Sequence, residues 1–304
     1  MTVTSLNQAR PKQPLSGHVD VLIVGAGISG IGMGHYLVNN LPGKTFAIVD
    51  GRDTIGGTWD LFKYPGIRSD SDLHTFGYEF KPWTSDNAIA DAHEIMDYLY
   101  EVIDEDSLAR RVYLEHKVIR ADFDSRTAQW TATLEHDGKQ FDVTCDFLFG
   151  ATGYYDYAQG HAPHFEGQED FAGEIVHPQF WPEDLDYQGK QVVVIGSGAT
   201  AVTLIPAMAD DTAHITMLQR SPSYVMPLPK QDPIANGLRK VLPDTVAYRV
   251  TRSINKGRQR LIYGASQRYP KQVRRIIRAL NVKALPEGYD VDTHFNPKYN
   301  PWDQ

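Results

Sequence analysis

The chain has 304 residues, of which 41% are hydrophobic, and carries a formal net charge of −8 at pH 7. This length and composition are typical of a folded protein of two ordinary domains and exclude a disordered chain. The acidic balance argues against a general nucleic-acid binder, so no nucleic-acid partner is expected. The single cysteine, Cys145, excludes an internal disulfide and is expected to be a small buried residue in a strand.

The amino terminus predicts neither a secretion signal nor a membrane anchor. Residues 1–18 are polar, lack the apolar stretch of a signal peptide, and are interpreted as a flexible arm. No apolar run approaches the roughly 20 residues that a spanning helix needs. Together with the single cysteine, these features predict a cytoplasmic protein.

A glycine-rich turn connects the first predicted strand to the first predicted helix. Val19–Gly25 predicts a strand buried on both faces, Gly25–Gly30 has the spacing GxGxxG, and Ile31–Asn39 predicts a helix. Phe46–Asp50 predicts the next strand, which ends in an acid where a ribose-binding carboxylate is expected. The glycines allow a tight turn and the close approach of a pyrophosphate to the helix N-terminus. The pattern predicts a dinucleotide with a free 2′-hydroxyl, FAD or NAD.

The segment after this unit predicts a glycine loop, a helix and an antiparallel insert. The run GGTW from Gly56 to Trp59 lets the backbone approach a ligand closely, although a surface turn is an equally good interpretation. Ala88–Asp104 predicts a helix with Ile95, Leu99 and Val102 in the core. Three strands are expected, with a hairpin at Asp137-Gly138 between the last two: Val112–Asp122, Gln129–Leu134 and Phe141–Leu148.

A second glycine-rich turn repeats the first signal with one informative difference. Gln191–Gly196 predicts a strand, and Gly196–Ala201 has the form GxGxxA. The next predicted strand, His214–Gln219, is followed by Arg220 and not by an acid. An arginine there can bind a 2′-phosphate with two hydrogen bonds and so favours NADPH over NADH. The alternative is a surface arginine at a strand end.

The carboxy-terminal part is strongly basic. Residues 233–283 contain 13 Lys and Arg against one acid, Asp244, a net charge of +12. Val273, Ile276, Ile277 and Leu280 share one helical face. Two interpretations stay open: a helical insertion whose apolar face packs on the second domain, and a membrane-surface helix that makes a peripheral contact.

The histidines do not predict a metal site. His161, His164 and His177 have no carboxylate or cysteine at ligand spacing.

The stretch between the two glycine turns carries a family resemblance. Phe171-x-Gly173-x-x-x-His177-x-x-x-Trp181-Pro182 resembles the fingerprint of type I Baeyer–Villiger flavin monooxygenases. The run from Gly56 to Asp72 is similar to the subgroup of mycobacterial ethionamide-activating monooxygenases.

The resemblance implies an α/β protein with two Rossmann-like dinucleotide-binding domains and a helical insertion. The expected divisions are an FAD domain over 19–153, a linker with the fingerprint over 154–190, the first part of an NADPH domain over 191–222, and the basic insertion and Pro/Asn-rich end over 223–304.

It also implies a reaction. FAD and NADPH would serve insertion of one oxygen atom of O₂ into a ketone, through a C4a-peroxyflavin, to give an ester or lactone, or oxidation of a sulfide. The alternatives are an S- or N-oxygenating flavin monooxygenase and a truncated nucleotide-binding chain without turnover. The substrate, the regiochemistry and the oligomeric state are left open by the sequence.

The resemblance assigns roles to individual residues. The FAD-binding residues implied are Gly25, Gly27, Ser29, Gly30, Asp50, Gly57, Thr58, Trp59, Asp60, Leu61, Asp70 and Val118. The NADPH-binding residues implied are Arg68, Ser69, Asp70, Gly196, Ser197, Gly198, Ala199, Thr200, Ala201, Arg220 and Ser221. Arg68 and Asp70 are expected between flavin and nicotinamide as the catalytic pair, and His177 and Trp181 as residues that couple domain movement to catalysis.

One departure from the family pattern concerns the end of the sequence. The family's active-site arginine is expected immediately after Gln304, so the chain resembles the N-terminal three-fifths of such an enzyme. By the same resemblance, the segment that completes the FAD domain is expected outside the given sequence, and a fragment, a truncated product and the ordered portion of a longer chain are left open as explanations.

Overall fold

The computed structural model describes residues 6, 10–11 and 13–303. Unit 1 holds the described residues up to Lys63 together with Ala92–Glu183, and unit 2 holds Tyr64–Asp91 together with the described residues from Asp184 onward. The sequence-based domain divisions differ from these units in placing residues 64–91 with the first domain, and they stay a prediction. Half of the arm predicted over residues 1–18 lies outside the described residues. Leu15, within it, is buried in the core.

Unit 1 contains one six-stranded sheet in the order β3-β2-β1-β6-β5-β4. The strands are β1 Gly17–Val24, β2 Phe46–Val49, β3 Val112–Tyr113, β4 Lys117–Asp124, β5 Gln129–His136 and β6 Lys139–Gly150. β1 pairs in parallel with both β2 and β6, whereas β4, β5 and β6 form an antiparallel meander. Asp137 and Gly138 both have positive φ, 50° and 71°, as the predicted hairpin requires.

The single strand predicted over Val112–Asp122 is wrong. The structure divides it into β3 and β4, with Glu115 between them at φ 60°. The break comes from two backbone hydrogen bonds, in which the Glu115 N–H donates to the Arg52 carbonyl at 2.7 Å and the His116 N–H donates to the Asp50 carbonyl at 2.8 Å. These bonds turn the chain around the end of β2.

Three α-helices belong to the described part of unit 1, and the first of them packs on β1 and β2. They are α1 Ile28–Asn40, α2 Thr58–Leu61 and, later in the chain, α4 Ala92–Glu105. Ile95, Leu99 and Val102 of α4 are buried, as their helical spacing predicts. The predicted start of this helix at residue 88 is wrong, because residues 88–90 make backbone hydrogen bonds to Leu73, Lys230 and Ser69 in place of a first helical turn.

The core of unit 1 lies where β1, β5 and β6 meet. Leu22, Leu134, Val143 and Cys145 are all fully buried there. The prediction of Cys145 as a small buried strand residue is confirmed, and burial raises the pKa of its thiol. A protonated, inaccessible thiol has little nucleophilic reactivity.

Unit 2 contains a second βαβ unit and a helical segment. Its elements are α3 Leu73–Phe76, β7 Gln191–Ile195, α5 Ala199–Met208, β8 His214–Leu218, α6 Pro233–Arg239, α7 Asp244–Arg268, α8 Pro270–Ala284 and α9 Val291–His294. β7 and β8 are parallel, with Gln191 opposite His214 and Ile195 opposite Leu218. The predicted strand–glycine turn–helix–strand order is therefore present twice in the chain.

The basic helices α7 and α8 expose most of their surface. Helix α8 packs against α7 and α9, but only part of its predicted apolar face is covered. Ile277 is 4% exposed, whereas Ile276 is 60% and Leu280 is 40% exposed. Helix α8 is thus packed along the narrow stripe of Ile277 and Asn281, and both interpretations of the basic segment stay predictions. Across the described part of the chain, no helix combines the length and the apolar character needed to span a bilayer.

Candidate functional site

The glycine turn of unit 1 is shaped by two contacts that leave no room for a side chain. Gly25 has a φ of 115°, and a Cβ on it would stand 2.3 Å from the Ala151 carbonyl oxygen. A Cβ on Gly30 would stand 1.8 Å from the Gly25 carbonyl oxygen. The glycines therefore let β1, the end of β6 and helix α1 meet, and they place the free N–H groups of α1 at the strand ends.

Asp50 lies at the end of β2, beside this turn. The side chain is 5% exposed. Its Oδ2 accepts the Ala26 N–H at 2.8 Å, and its Oδ1 accepts the Arg52 N–H at 3.0 Å. Burial raises the pKa of the Asp50 carboxyl, against the opposing effect of these two hydrogen bonds. Each oxygen keeps a further lone pair, so the carboxylate can accept two sugar hydroxyls.

A second glycine pair closes the turn from the opposite side. The Gly56 N–H donates to the Ala26 carbonyl at 3.0 Å. Gly57 has a φ of 55°, and a Cβ on it would stand 3.3 Å from Gly27 Cα. The two loops are thus in contact through glycines, Gly57 against Gly27. The geometry fits a dinucleotide whose pyrophosphate approaches the backbone closely, the ligand expected from the spacing.

Arg52 is a residue of this site that the sequence interpretation missed. Its guanidinium donates to an Asp60 carboxylate oxygen at 2.5 Å and to the Gly57 carbonyl at 3.3 Å. It thereby ties the end of β2 to α2. The sequence gives one indication of this role, the position of Arg52 two residues after Asp50. Nothing in the neighbouring sequence indicates that its side chain turns back toward Gly57.

The remaining predicted FAD residues have different surroundings. Ser29 is exposed in the first turn of α1, and Thr58–Leu61 form the half-buried α2. Val118 lies in β4 opposite Leu134. Unit 1 therefore brings together Gly25–Gly30, Asp50 and Gly57–Leu61, while Asp70 belongs to unit 2.

The glycine turn of unit 2 is more open than that of unit 1. Gly196 has a φ of 133°, and its N–H donates to the Leu218 carbonyl at 2.8 Å. A Cβ on Gly196 or Gly198 would meet nothing within 4 Å among the described residues. The Ser197 and Ser223 hydroxyl oxygens are 3.0 Å apart. Ala199–Ala201 form the first turn of α5.

The two residues predicted to hold a 2′-phosphate follow β8. Arg220 and Ser221 are both exposed. An exposed arginine just beyond the second strand of a βαβ unit has the side-chain freedom to reach a phosphate. The structure leaves its predicted role open.

The loop that carries Arg68, Ser69 and Asp70 is held within unit 2. A Cβ on Gly66 would stand 2.7 Å from the Ala207 Cβ of α5. Ser69 is 3% exposed, and its N–H donates to the Ala90 carbonyl at 2.8 Å. Arg68 and Asp70 are exposed; partial desolvation raises the pKa of the Asp70 carboxyl, and the Arg68 guanidinium opposes that rise. The three residues therefore share a unit with the second glycine turn.

A buried polar cluster fixes the chain after this loop. The Asn255 side chain, 1% exposed, donates to Asp72 at 3.1 Å and to Asp232 at 3.2 Å. Arg252 donates to the carbonyls at the end of α3, those of His74, Thr75 and Gly77. The aspartates cap helices and were detectable by position, but their link through Asn255 spans 183 residues for Asp72.

His74 lies inside this cluster and has no hydrogen-bond partner on either ring nitrogen among the described residues. It is 2% exposed. Burial lowers the pKa of His74; the carboxylates of Asp72 and Asp232 oppose that shift, and Arg239 adds to it. The imidazole is therefore held neutral.

The fingerprint residues all lie in unit 1. Phe171 is 60% exposed, and a Cβ on Gly173 would stand 2.6 Å from its ring. His177 Nδ1 accepts the Gln179 N–H at 3.2 Å and so caps a 3₁₀ turn. Trp181 and Pro182 are half-buried.

No group of three His, Cys, Asp or Glu residues in the described ranges is arranged to hold a metal ion.

Two family models match the chain. A flavin-binding monooxygenase-like model covers residues 76–254, and an NAD(P)-binding Rossmann-like model covers residues 23–86. Among curated relatives, the FAD-containing monooxygenase EthA of Mycobacterium tuberculosis (strain ATCC 25618 / H37Rv) is 50% identical over 291 residues. That match covers 95% of this chain and 60% of the relative, so the chain spans about three-fifths of its length.

Solved structures agree with these matches. An oxidised steroid monooxygenase bound to NADP is 26% identical, with a TM-score of 0.74 over 93% of this chain and 60% of that one. A cyclohexanone-bound cyclohexanone monooxygenase is 29% identical, with a TM-score of 0.63 over 72% of this chain and 42% of that one. The predicted α/β class with Rossmann-like domains is confirmed.

Replacement of His74 is expected to change how stability depends on pH. Below its ordinary pKa of 6.5 the unfolded chain protonates this histidine, whereas the folded chain keeps it neutral down to a lower pH. Stability is therefore lost as pH falls below about 6.5, and His74→Leu should make that loss shallower. Urea unfolding at pH 7.5, 6.5 and 5.5 measures it, with the exposed His214→Leu as control. Parallel profiles for His74→Leu and the unsubstituted chain would contradict the assignment.

Proposed function

The chain belongs to the flavin-binding monooxygenase-like family, and we propose that it forms the FAD- and NADPH-binding part of a Baeyer–Villiger-type monooxygenase. The proposed reaction transfers one oxygen atom of O₂ to a ketone, giving an ester or lactone, or to a sulfur centre. The proposal depends on one observation in unit 1, the contact of the loops Gly25–Gly30 and Gly56–Gly57 beside the buried carboxylate of Asp50. This arrangement is here termed the cradle. Relatives described as FAD-containing and structures solved with NADP or cyclohexanone support it.

FAD is assigned to unit 1. Gly25, Gly27 and Gly57 would admit the pyrophosphate, and the N–H groups at the start of α1 would bind its oxygens. Asp50 would accept the ribose hydroxyls, because its Oδ2 is bonded to the turn at Ala26 and each of its oxygens has a free lone pair. Bound FAD supplies the acceptance of hydride and the activation of O₂, whereas the protein supplies orientation and exclusion of water.

NADPH is assigned to unit 2. The open turn over Gly196–Ala201 would bind its pyrophosphate, and Arg220 with Ser221 would bind its 2′-phosphate. Arg68, Ser69 and Asp70 are assigned to the nicotinamide end, and Asp70 with Arg68 to catalysis. The anchoring of buried Ser69 on Ala90 supports this assignment, since it fixes the backbone that carries both charged side chains.

Loss of the Asp50 carboxylate is expected to lower FAD affinity. Asp50→Ala removes the acceptor of the ribose hydroxyls and of the Ala26 N–H, a loss of about 10-fold or more in affinity. Titration with FAD followed by flavin fluorescence measures it, with Asp53→Ala, an exposed acid three residues on, as control. Equal affinities of Asp50→Ala and the control would refute the assignment.

Loss of Arg220 is expected to discriminate between the two nicotinamide cofactors. Arg220→Ala removes a charge-assisted contact to the 2′-phosphate, worth about 10- to 100-fold in the Kd for NADPH. NADH has no such phosphate, so its Kd should change by less than about twofold. Calorimetric titration of both cofactors measures the difference. Equal weakening for NADPH and NADH would exclude the 2′-phosphate role.

The proposed reaction is distinguished from S- or N-oxygenation by its products. The test presents the FAD-loaded protein and NADPH with cyclohexanone and with a thioether in separate assays. Lactone formation supports the Baeyer–Villiger assignment, whereas sulfoxide without lactone favours the S-oxygenating alternative. Tight cofactor binding without either product would identify a nucleotide-binding chain without turnover.

A further inference from the structure

The segment after β6 packs against the cradle of unit 1. The ring of Tyr155 packs edge-on against Phe62, which follows α2, with centroids 4.9 Å apart. Two residues later, the Tyr157 hydroxyl lies 3.6 Å from the position that a Cβ on Gly57 would take. The same position is 3.3 Å from Gly27 Cα. The hydroxyl of Tyr157 thus stands at the contact between both glycine loops.

The charges around Tyr157 suit a hydrogen-bond donor. The Arg52 guanidinium carbon is 5.5 Å from the centre of its ring, a cation–π contact that orients the ring. Burial and the nearby Asp50 carboxylate raise the pKa of the phenol, and Arg52 opposes them. The phenol therefore keeps its proton at neutral pH, and it can donate to an anionic oxygen at the cradle.

Residues of the fingerprint segment, Phe171–Pro182, contact the same segment on both sides of Tyr157. The Gln179 side chain, 6% exposed, donates through Nε2 to the Asp156 carbonyl at 2.6 Å. Gly160 lies against the ring of His177, because a Cβ on it would stand 2.4 Å from His177 Cε1. The same His177 caps the turn that carries Gln179. Residues on both sides of Tyr157 are thus attached to the fingerprint.

We propose that Tyr157 is an FAD-binding residue whose hydroxyl donates to the pyrophosphate, and that Gln179 positions it. The segment Tyr155–Gly160, here termed the tyrosine strap, would close the cradle over the bound dinucleotide. This rests on the assignment of FAD to unit 1 and deepens it, because it gives Gln179 of the fingerprint a physical connection to the cofactor. In the motif FxGxxxHxxxWP, Gln179 falls on a position where any residue is allowed, so the motif alone does not identify Gln179.

One glycine of the strap is required by a close contact. A Cβ on Gly160 would stand 2.4 Å from His177 Cε1 and would displace that ring, whereas the Tyr157 hydroxyl lies at ordinary contact distance, 3.6 Å, from a Cβ on Gly57. Gly160 therefore lets the strap lie close to the fingerprint.

The test measures FAD affinity of the chain by flavin fluorescence titration. Tyr157→Phe keeps the ring over Arg52 and removes only the hydroxyl, so FAD should bind about tenfold more weakly. Tyr263→Phe makes the same chemical change in α7 of unit 2, at a side chain that is 55% exposed, and should leave affinity unchanged. Affinity of Tyr157→Phe within about twofold of the unsubstituted chain would overturn the proposal.

A double-mutant cycle tests the positioning role of Gln179. Gln179→Leu should weaken FAD about fivefold alone, but less than about twofold when Tyr157→Phe is already present, since it acts through the phenol. Equal effects in both backgrounds would overturn that role, as a merely structural residue would act independently. Thermal unfolding of the cofactor-free variants checks folding.

The outcomes separate the strap from the function it rests on. FAD binding that is insensitive to Tyr157→Phe rejects the strap and leaves the cofactor assignment intact. Absence of FAD binding by the unsubstituted chain, shown folded by circular dichroism, rejects both.

Discussion

The close packing of helix α1 on the ends of β1 and β6 is the constraint on which the candidate cofactor site depends. A Cβ at Gly30 would stand 1.8 Å from the Gly25 carbonyl oxygen, and one at Gly25 would stand 2.3 Å from the Ala151 carbonyl. No side-chain rotation relieves a clash with backbone, so any other residue would push the helix away from the strands. With glycine, Ala26 comes within 2.8 Å of the buried Asp50 carboxylate.

Further hydrogen bonds connect the Asp50 carboxylate and Ala26 to the rest of the cradle. Asp50 also accepts the Arg52 N–H, and the Arg52 side chain reaches Gly57 and Asp60. Gly56 donates to Ala26 and brings the second glycine loop into place. A change at the carboxylate therefore acts on the turn, on α2 and on the loop between them.

The two glycine turns of the chain face different physical requirements. In unit 2 the turn is open, and the requirement for glycine at Gly196 comes from its φ of 133° and not from crowding. An exposed arginine stands where the first unit has a buried acid. The same local fold thus ends in a buried carboxylate in one unit and in an exposed cation in the other, and the proposed assignment to a free ribose and to a 2′-phosphate rests on that difference.

The parts of the fold that sequence could predict are those set by local pattern. Both βαβ units follow from apolar runs next to glycine spacing, and the β5–β6 hairpin follows from Asp137-Gly138. The break at Glu115 was missed, because it is imposed by backbone bonds to Arg52 and Asp50 more than 60 residues earlier. Asn255 and Tyr157 were missed for the same reason, because the groups that they contact lie far away in sequence and no periodicity connects them. The burial of His74 was missed because it depends on distant residues, among them Asp232 and Arg239.

The measurement that tests the account most directly is the visible absorption spectrum of the purified chain after incubation with FAD and removal of free cofactor. The account predicts a retained flavin band, because the glycine loops, Asp50 and Arg52 form the cradle within the described residues of unit 1. A colourless chain that is folded by circular dichroism would contradict it.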